Sequence, residues 1–170
     1  ERRRGISVKA ACVSMDYRGT RINLIDTPGH ADFSAEIERS LWALDGALLA
    51  LCGVEGVQPQ TEVLFDALRN DHMPFLFFIN KMDLPGTDRK KLLEQLQQEL
   101  GTGCVDFTAE LDEIAENCAM CDEALLESYL ETGTVTENNI RGLIAQRKVF
   151  PCCFGSALKL RGIEEFLATV

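Results

Sequence analysis

No stretch of apolar residues in this chain approaches the roughly 20 needed to cross a bilayer, which excludes a membrane-spanning helix. No segment has the layout of a secretory signal either. Positive charge is in short supply, with 17 Lys and Arg against 27 Asp and Glu, a net charge of −10. That balance excludes a basic clamp on DNA, and any RNA partner must be met through small local features. The one basic run, Arg2-Arg3-Arg4, reads as a solvated loop rather than an RNA-binding arm. Internal repeats, low-complexity segments and interdomain linkers are missing as well. A length of 170 residues suits one domain, able to bury roughly 70% of its unfolded surface. Hydrophobic content of 46% and charged content of 26% are those of an ordinary soluble globular protein.

A zinc-ligand pattern is also lacking. The seven cysteines are Cys12, Cys52, Cys104, Cys118, Cys121, Cys152 and Cys153. Cys118 and Cys121 form a C-x-x-C, but no second pair or histidine stands at ligand spacing. Cys12, Cys52 and the Cys152-Cys153 pair fall in expected strands, where free cysteine acts as a small hydrophobe. The pattern suits a reduced, cytosolic protein.

What the chain does have is an alternation of strands and helices. Val8 to Tyr17 and Arg21 to Ile25 read as a hairpin turned at Arg18-Gly19. Residues 31–44 read as a helix with Phe33, Ile37, Leu41 and Leu44 on its buried stripe. Ala47 to Cys52 is apolar on both faces, as a central parallel strand requires. A loop over Gly53 to Pro59 leads to a helix over Gln60 to Asp71 that buries Leu64, Ala67 and Leu68. Pro74 opens the most apolar strand, Phe75 to Ile79. Leu92, Leu96 and Leu100 mark the next helix, which Gly101-Thr102-Gly103 stops.

A polar, acidic insertion follows from Gly103 to Gln146, with two expected helices. One spans about Cys121 to Leu130 and buries Leu125, Leu126 and Tyr129. The other is capped by Thr136 and carries Ile140, Leu143 and Ile144. A last strand, Val149 to Phe154, and a helix from Ile163 to Val170 complete the reading. Such alternation argues for an α/β fold: a doubly wound, mostly parallel sheet with helices on both faces.

Two buried strands deliver polar groups at their carboxyl ends, where such folds build ligand sites. The strand at Ile22 to Ile25 runs into Asp26-Thr27-Pro28-Gly29-His30, and Phe75 to Ile79 runs into Asn80-Lys81-Met82-Asp83. Together these sets fit a guanine nucleotide with its magnesium ion. Asp26 suits magnesium, which favours carboxylate oxygen and keeps several waters. Gly29 lets the backbone approach a terminal phosphate, and the imidazole of His30 suits the orientation of an attacking water.

Asp83 can accept the N1 and N2 hydrogens of guanine, a pair worth on the order of 2–3 kcal/mol and missing from adenine. Asn80 can tie neighbouring loops together, while the Lys81 stem packs on the base. Gly155-Ser156-Ala157, after another strand, can offer a backbone amide to guanine O6. Alone, N-K-M-D also suits a helix-capping turn, and D-x-x-G occurs in many loops. Their order along the chain is the stronger signal. Ser7, ahead of the first strand, would by itself be a turn residue. Beside these motifs it becomes a magnesium ligand, with Ile6 an apolar wall near His30. His72, at the end of an acidic helix, reads as an exposed terminal histidine.

These residues resemble the G domain of translational GTPases of the elongation factor G type. The resemblance runs from R-R-R-G-I-S through D-T-P-G-H-A-D-F, V-Q-P-Q-T-E and F-I-N-K-M-D to G-S-A-L-K, and is weakest between about Gly101 and Met120. F-F-I-N-K-M-D and the modest insertion are most similar to the ribosomal-protection proteins of tetracycline resistance. The resemblance implies a cytoplasmic protein that binds the ribosome with GTP, meets a large-subunit RNA loop near His30, and hydrolyses GTP to GDP there. It implies a water-positioning role for His30, and Mg2+ held by Asp26 and Ser7. It gives guanine recognition to Asn80, Lys81, Asp83 and to Ser156 with Ala157. Ser7 stands where threonine is usual, which keeps the hydroxyl and loses the stiffening methyl.

No G-x-x-x-x-G-K-[ST] occurs in the chain. The resemblance places that loop, its strand and its helix ahead of residue 1. Residues 1–170 are therefore expected to form an incomplete G domain, with a helical insertion at about 101–148. The missing strand would lie between the strand ending at Ile25 and the strand starting at Ala47, leaving two unpaired edges. Taken alone, such a piece is expected to be inactive. The alternative to a GTPase is a guanine-nucleotide-sensing or ribosome-docking module that does not hydrolyse.

Overall fold

A computed structural model of the chain describes residues 10–27 and 43–169. The chain divides into two compact units, residues 1–45 and 46–170.

In the first unit, β1 (Ala11–Tyr17) pairs antiparallel with β2 (Thr20–Asp26), in a register that sets Ala11 opposite Asp26 and Tyr17 opposite Thr20. Arg18 and Gly19 turn the hairpin with φ of +47° and +83°. Two left-handed residues match the twist of the paired strands, and glycine takes the second at no steric cost. On one face Ser14 Oγ donates to Asn23 Oδ1 at 2.7 Å. The opposite face is apolar, with Val13 facing Leu24 and Met15 facing Ile22.

The expectation of a buried strand at Ile22 to Ile25 is corrected here. Ile22 and Ile25 are half-buried, Leu24 is exposed, and Val13 is 60% exposed. Cys12, expected to pack as a small hydrophobe, is exposed too. A two-stranded ribbon has no second layer of its own to cover both faces. The helix expected over 31–44 lies outside the described residues apart from its last two positions. So does the strand start at Val8.

The second unit holds a four-stranded sheet in the order β3-β4-β6-β5, every neighbouring pair parallel. Its strands are β3 (Ala47–Cys52), β4 (Phe75–Asn80), β5 (Cys104–Asp106) and β6 (Phe150–Phe154). Helix α1 (Pro59–Asn70) joins β3 to β4, and α2 (Arg89–Glu99) joins β4 to β5. Between β5 and β6 stand α3 (Leu111–Ala119), α4 (Glu123–Thr132) and α5 (Glu137–Ala145), and α6 (Ile163–Thr169) follows β6.

The period-two pattern of β4 sends Phe75, Phe77 and Ile79 to one face. There Phe65 of α1 meets Phe75, Phe77 and Phe150 with ring centroids 5.1–6.2 Å apart. Each buried ring contributes about 1.5–3 kcal/mol by area, and favourable ring pairs roughly 0.5–1.5 more. Leu92 and Leu96 of α2 meet Ile79 and Leu51 on the same face. The other face carries Phe78, packed at 5.3 Å against Phe166 of α6. Helices therefore cover both faces, as the alternation predicts.

Pro151 is buried inside β6 without breaking it. Phe150 N–H donates to Gly103 O beside β5 at 2.8 Å, so the next position faces β4, where pairing begins only at Cys152. The missing N–H costs no ladder bond there.

Some details differ from expectation. In β3 Leu49 and Leu51 are buried, whereas Leu48 and Ala50 are exposed. The strand ends the described sheet, and α6 lies under β4 and β6. The buried stripe of α1 centres on Thr61, Phe65 and Leu68, with Leu64 and Ala67 at its half-buried margins. Within the acidic stretch there are three helices rather than two, and β5 joins the main sheet. Thr136 does cap α5, its hydroxyl accepting Asn139 N–H at 3.2 Å. Leu125, Leu126 and Tyr129 of α4 are half-buried. These helices share a small core of Val105, Ile114, Cys118, Leu143 and Val149. Asp106, 6% exposed, ends β5 and accepts from Arg89 Nε and from Thr108 N at 2.8 Å.

Candidate functional site

Parallel pairing brings the carboxyl ends of β3, β4 and β6 to one edge of the sheet, with Cys52 beside Asn80 and Ile79 beside Phe154. The three loops that leave this edge are then bonded together. Gly53 N–H donates to Asn80 O at 2.8 Å, and Gly155 N–H donates to Ile79 O at 2.9 Å. Met82 N–H donates to Gly155 O at 3.0 Å. The Asn80 side chain adds the decisive link. Its Oδ1 accepts Lys81 N–H at 2.8 Å and Ala157 N–H at 2.9 Å. N-K-M-D and G-S-A are thus one structure.

Lys81 sits in the left-handed region at φ +64°, a conformation that costs a non-glycine residue roughly 1–2 kcal/mol. Leu84 N–H donating to Lys81 O at 3.1 Å and the Asn80 side chain hold it there. Backbone strain of this kind persists where surrounding bonds over-determine it, and it clusters at ligand sites. The Lys81 side chain is exposed, leaving its stem free to lie on a planar ring.

Ser156 is 2% exposed, with its backbone bonded to Arg161 in both directions at 2.9 and 3.1 Å. Its hydroxyl accepts Lys159 N–H at 3.4 Å. The Asp83 carboxylate is exposed and held below the ordinary carboxylate range. The Ser156 side chain is the largest cause, partly opposed by desolvation and assisted by Asp83's own amide, Lys159 and Arg161. At neutral pH this group is an acceptor only, with two oxygens open to a paired donor.

Two glycines make the junction possible. A Cβ on Gly155 would lie 2.4 Å from Arg161 O and 3.0 Å from Phe78 Cζ. One on Gly53 would lie 2.7 Å from Met82 Sδ. Met82 therefore serves through its amide and its packing at the loop junction. Sequence reasoning passed over Gly53, Thr87, Lys159 and Arg161. Of these, Gly53 carried a signal in its position directly after an apolar run, and Lys159 in closing the G-S-A-L-K stretch.

Asp26 is exposed at the end of β2, and Thr27 follows half-buried in the hairpin unit. Ser7, Pro28, Gly29 and His30 lie outside the described residues. Among the described residues no group of three His, Cys, Asp or Glu could hold a metal by itself. Magnesium does not require one, since it binds through one or two carboxylates with phosphates and water, and the Asp26 carboxylate has the right chemistry.

The elongation factor Tu GTP binding domain family matches residues 1–170. The chain belongs to this family. It is a guanine-nucleotide-binding domain of the translation-factor GTPase class, with the α/β architecture of that class. It is 33% identical over 190 residues to the Tetracycline resistance protein TetP of Clostridium perfringens, an alignment covering 98% of this chain and 29% of TetP. A crystal structure of a Thermus thermophilus protein superposes with a TM-score of 0.81 at 25% identity, covering 96% of this chain and 32% of that one. The GTP-binding domain thus spans about a third of the length of the relatives it matches. Among its described residues no helix is long and apolar enough to cross a membrane.

Proposed function

We propose that this domain reads guanine through Asp83, with Asn80, Lys81, Ser156 and Ala157 shaping the base site, and that the protein carrying it hydrolyses GTP on the ribosome. The observation that supports the guanine reading is the Asn80 side chain bonded to both Lys81 and Ala157, which sets Asp83 beside Ser156. The ionised carboxylate accepts the N1 and N2 hydrogens, and the exposed Ala157 N–H would meet O6 by exchanging or sharing the bond it gives to Asn80. In Asp83→Asn an acceptor becomes a donor, so preference should move from guanine to xanthine nucleotides. Unchanged preference in a competition titration removes Asp83 from the site.

For the phosphate end, Asp26 and Ser7 would hold Mg2+, and Gly29 would offer its amide to the terminal phosphate. When bound, the ion supplies positive charge against the charge that develops in phosphoryl transfer. His30 orients the attacking water, a task that asks for position rather than strong basicity. The likeness to a tetracycline resistance protein supports a ribosome-dependent factor of the ribosomal-protection or elongation factor G type, acting in the cytoplasm. His30 would then meet large-subunit RNA. The test is ribosome-stimulated GTP turnover in His30→Ala. Loss of stimulation with nucleotide affinity intact is expected, and full retention assigns the domain to nucleotide sensing without hydrolysis.

A further inference from the structure

We infer that Thr87 is a positioning residue for guanine recognition, acting on the backbone either side of Asp83; this rests on the reading of Asp83 as the base-binding carboxylate. The Asp83 side chain is exposed, so apart from the Ser156 hydroxyl little fixes directly where its oxygens point. The rest of the fixing comes from the turn backbone that carries it. Thr87 Oγ1 lies 3.1 Å from Met82 O, in the peptide that enters Asp83, and 2.9 Å from Leu84 O, one peptide beyond the one that leaves it. A threonine hydroxyl has one proton, and here it is shared between those two acceptors.

Thr87 is itself anchored. Asp88 caps α2, its Oδ1 accepting Lys90 N–H at 3.0 Å and Lys91 N–H at 3.3 Å. The Thr87 methyl lies 3.4 Å from where a Cβ on Gly53 would stand, so the β3 loop closes on it too. Thr87 thus ties the base-reading turn to the rigid start of a helix. Without the hydroxyl, the turn around Asp83 relies on the backbone bonds from Met82 N–H to Gly155 O and from Leu84 N–H to Lys81 O, with Ser156 at the carboxylate itself. A carboxylate that must meet two hydrogens at once loses most from such loosening.

The experiment compares fluorescent guanine and xanthine nucleotide affinities of the intact protein in wild type, Thr87→Val, Thr87→Ser and Asp83→Asn. Thr87→Val keeps the shape and removes the hydroxyl. Guanine affinity should fall about fivefold, the worth of one ordinary hydrogen bond, while xanthine affinity stays within twofold. Thr87→Ser should restore guanine affinity to within twofold. Equal weakening for both bases would show a general structural role and overturn the inference, as would unchanged guanine affinity in Thr87→Val. If the valine variant does not fold, a fivefold loss in Thr87→Ser would assign the effect to the methyl and overturn it equally. The two readings fail separately. A specificity switch in Asp83→Asn with no effect at Thr87 sinks only the Thr87 role, whereas no switch in Asp83→Asn sinks the guanine site.

Discussion

The side-chain oxygen of Asn80 accepts the backbone N–H of Ala157 at 2.9 Å across 77 residues of sequence. Because the same oxygen accepts Lys81 N–H, one side chain sets both the strained turn after β4 and the loop after β6. Asn80→Ala should cost about 1–3 kcal/mol in urea unfolding, nearer the low end because water can reach Ala157. Nucleotide affinity should fall more than tenfold, since both halves of the base site lose their common reference. A variant with native affinity would show that the loops hold their places without Asn80.

Gly155→Ala tests the closeness of that junction. The added methyl carbon meets a carbonyl oxygen at 2.4 Å and a packed ring at 3.0 Å, neither the free end of a flexible side chain. The backbone must shift, and overpacking of this kind costs roughly 1–3 kcal/mol. Chemical denaturation reads the cost. A midpoint equal to wild type would mean that the β6 loop is looser than its bonds to Arg161 and Met82 require.

The aromatic cluster sets stability at a distance from the nucleotide. Phe65→Ala removes a ring in contact with Phe75, Phe77 and Phe150 and should cost about 3–5 kcal/mol. Val13, 60% exposed on the hairpin, should tolerate Val13→Thr within about 0.5 kcal/mol. Parallel denaturation curves of the two variants decide. Equal losses would contradict the burial assigned to these positions.

Thiol chemistry should separate the cysteines by burial. Desolvation, with a smaller effect from Cys121, pushes Cys118 up to about 12. Desolvation likewise raises Cys153 to about 11, against a hydrogen bond with Thr169 that lowers it. Under native conditions at pH 8 an alkylating reagent should modify exposed Cys12 first, and Cys104, Cys118, Cys152 and Cys153 only on unfolding. The folded thiols keep their protons above the unfolded value of 9.0, so the unfolded chain ionises first. Their contribution to stability is therefore complete below about pH 9 and is lost as pH rises toward 12. Stability that climbs between pH 9 and 11 would contradict this.

The legible parts of the fold were those written in contiguous residues. Phe75 to Ile79 announces a buried strand because five apolar residues in a row leave few other homes for them. Arg18-Gly19 announces a hairpin because the turn demands left-handed backbone at both positions. By contrast β5 has only Cys104, Val105 and Asp106, too few for any period, and its partner Phe150–Cys152 stands more than forty residues on. Helix α3 hides its buried face among acids, with Ile114, Cys118 and Ala119 the sole marks. Thr87 carried no signal at all, since a threonine after Pro85-Gly86 reads as one more turn residue.

The amino-acid order by itself determined the chemistry available: a carboxylate and an amide side chain at one strand end, a serine between small residues at another, and an excess of negative charge elsewhere. Those follow from residue type and short-range spacing. Only the folded chain decided that Asn80 reaches Ala157, that Ser156 stands beside Asp83, and that Thr87 clasps the turn that carries it. Parallel strands put their carboxyl ends on a shared edge, and that adjacency depends on sheet order and register, which arise from contacts between residues far apart in sequence.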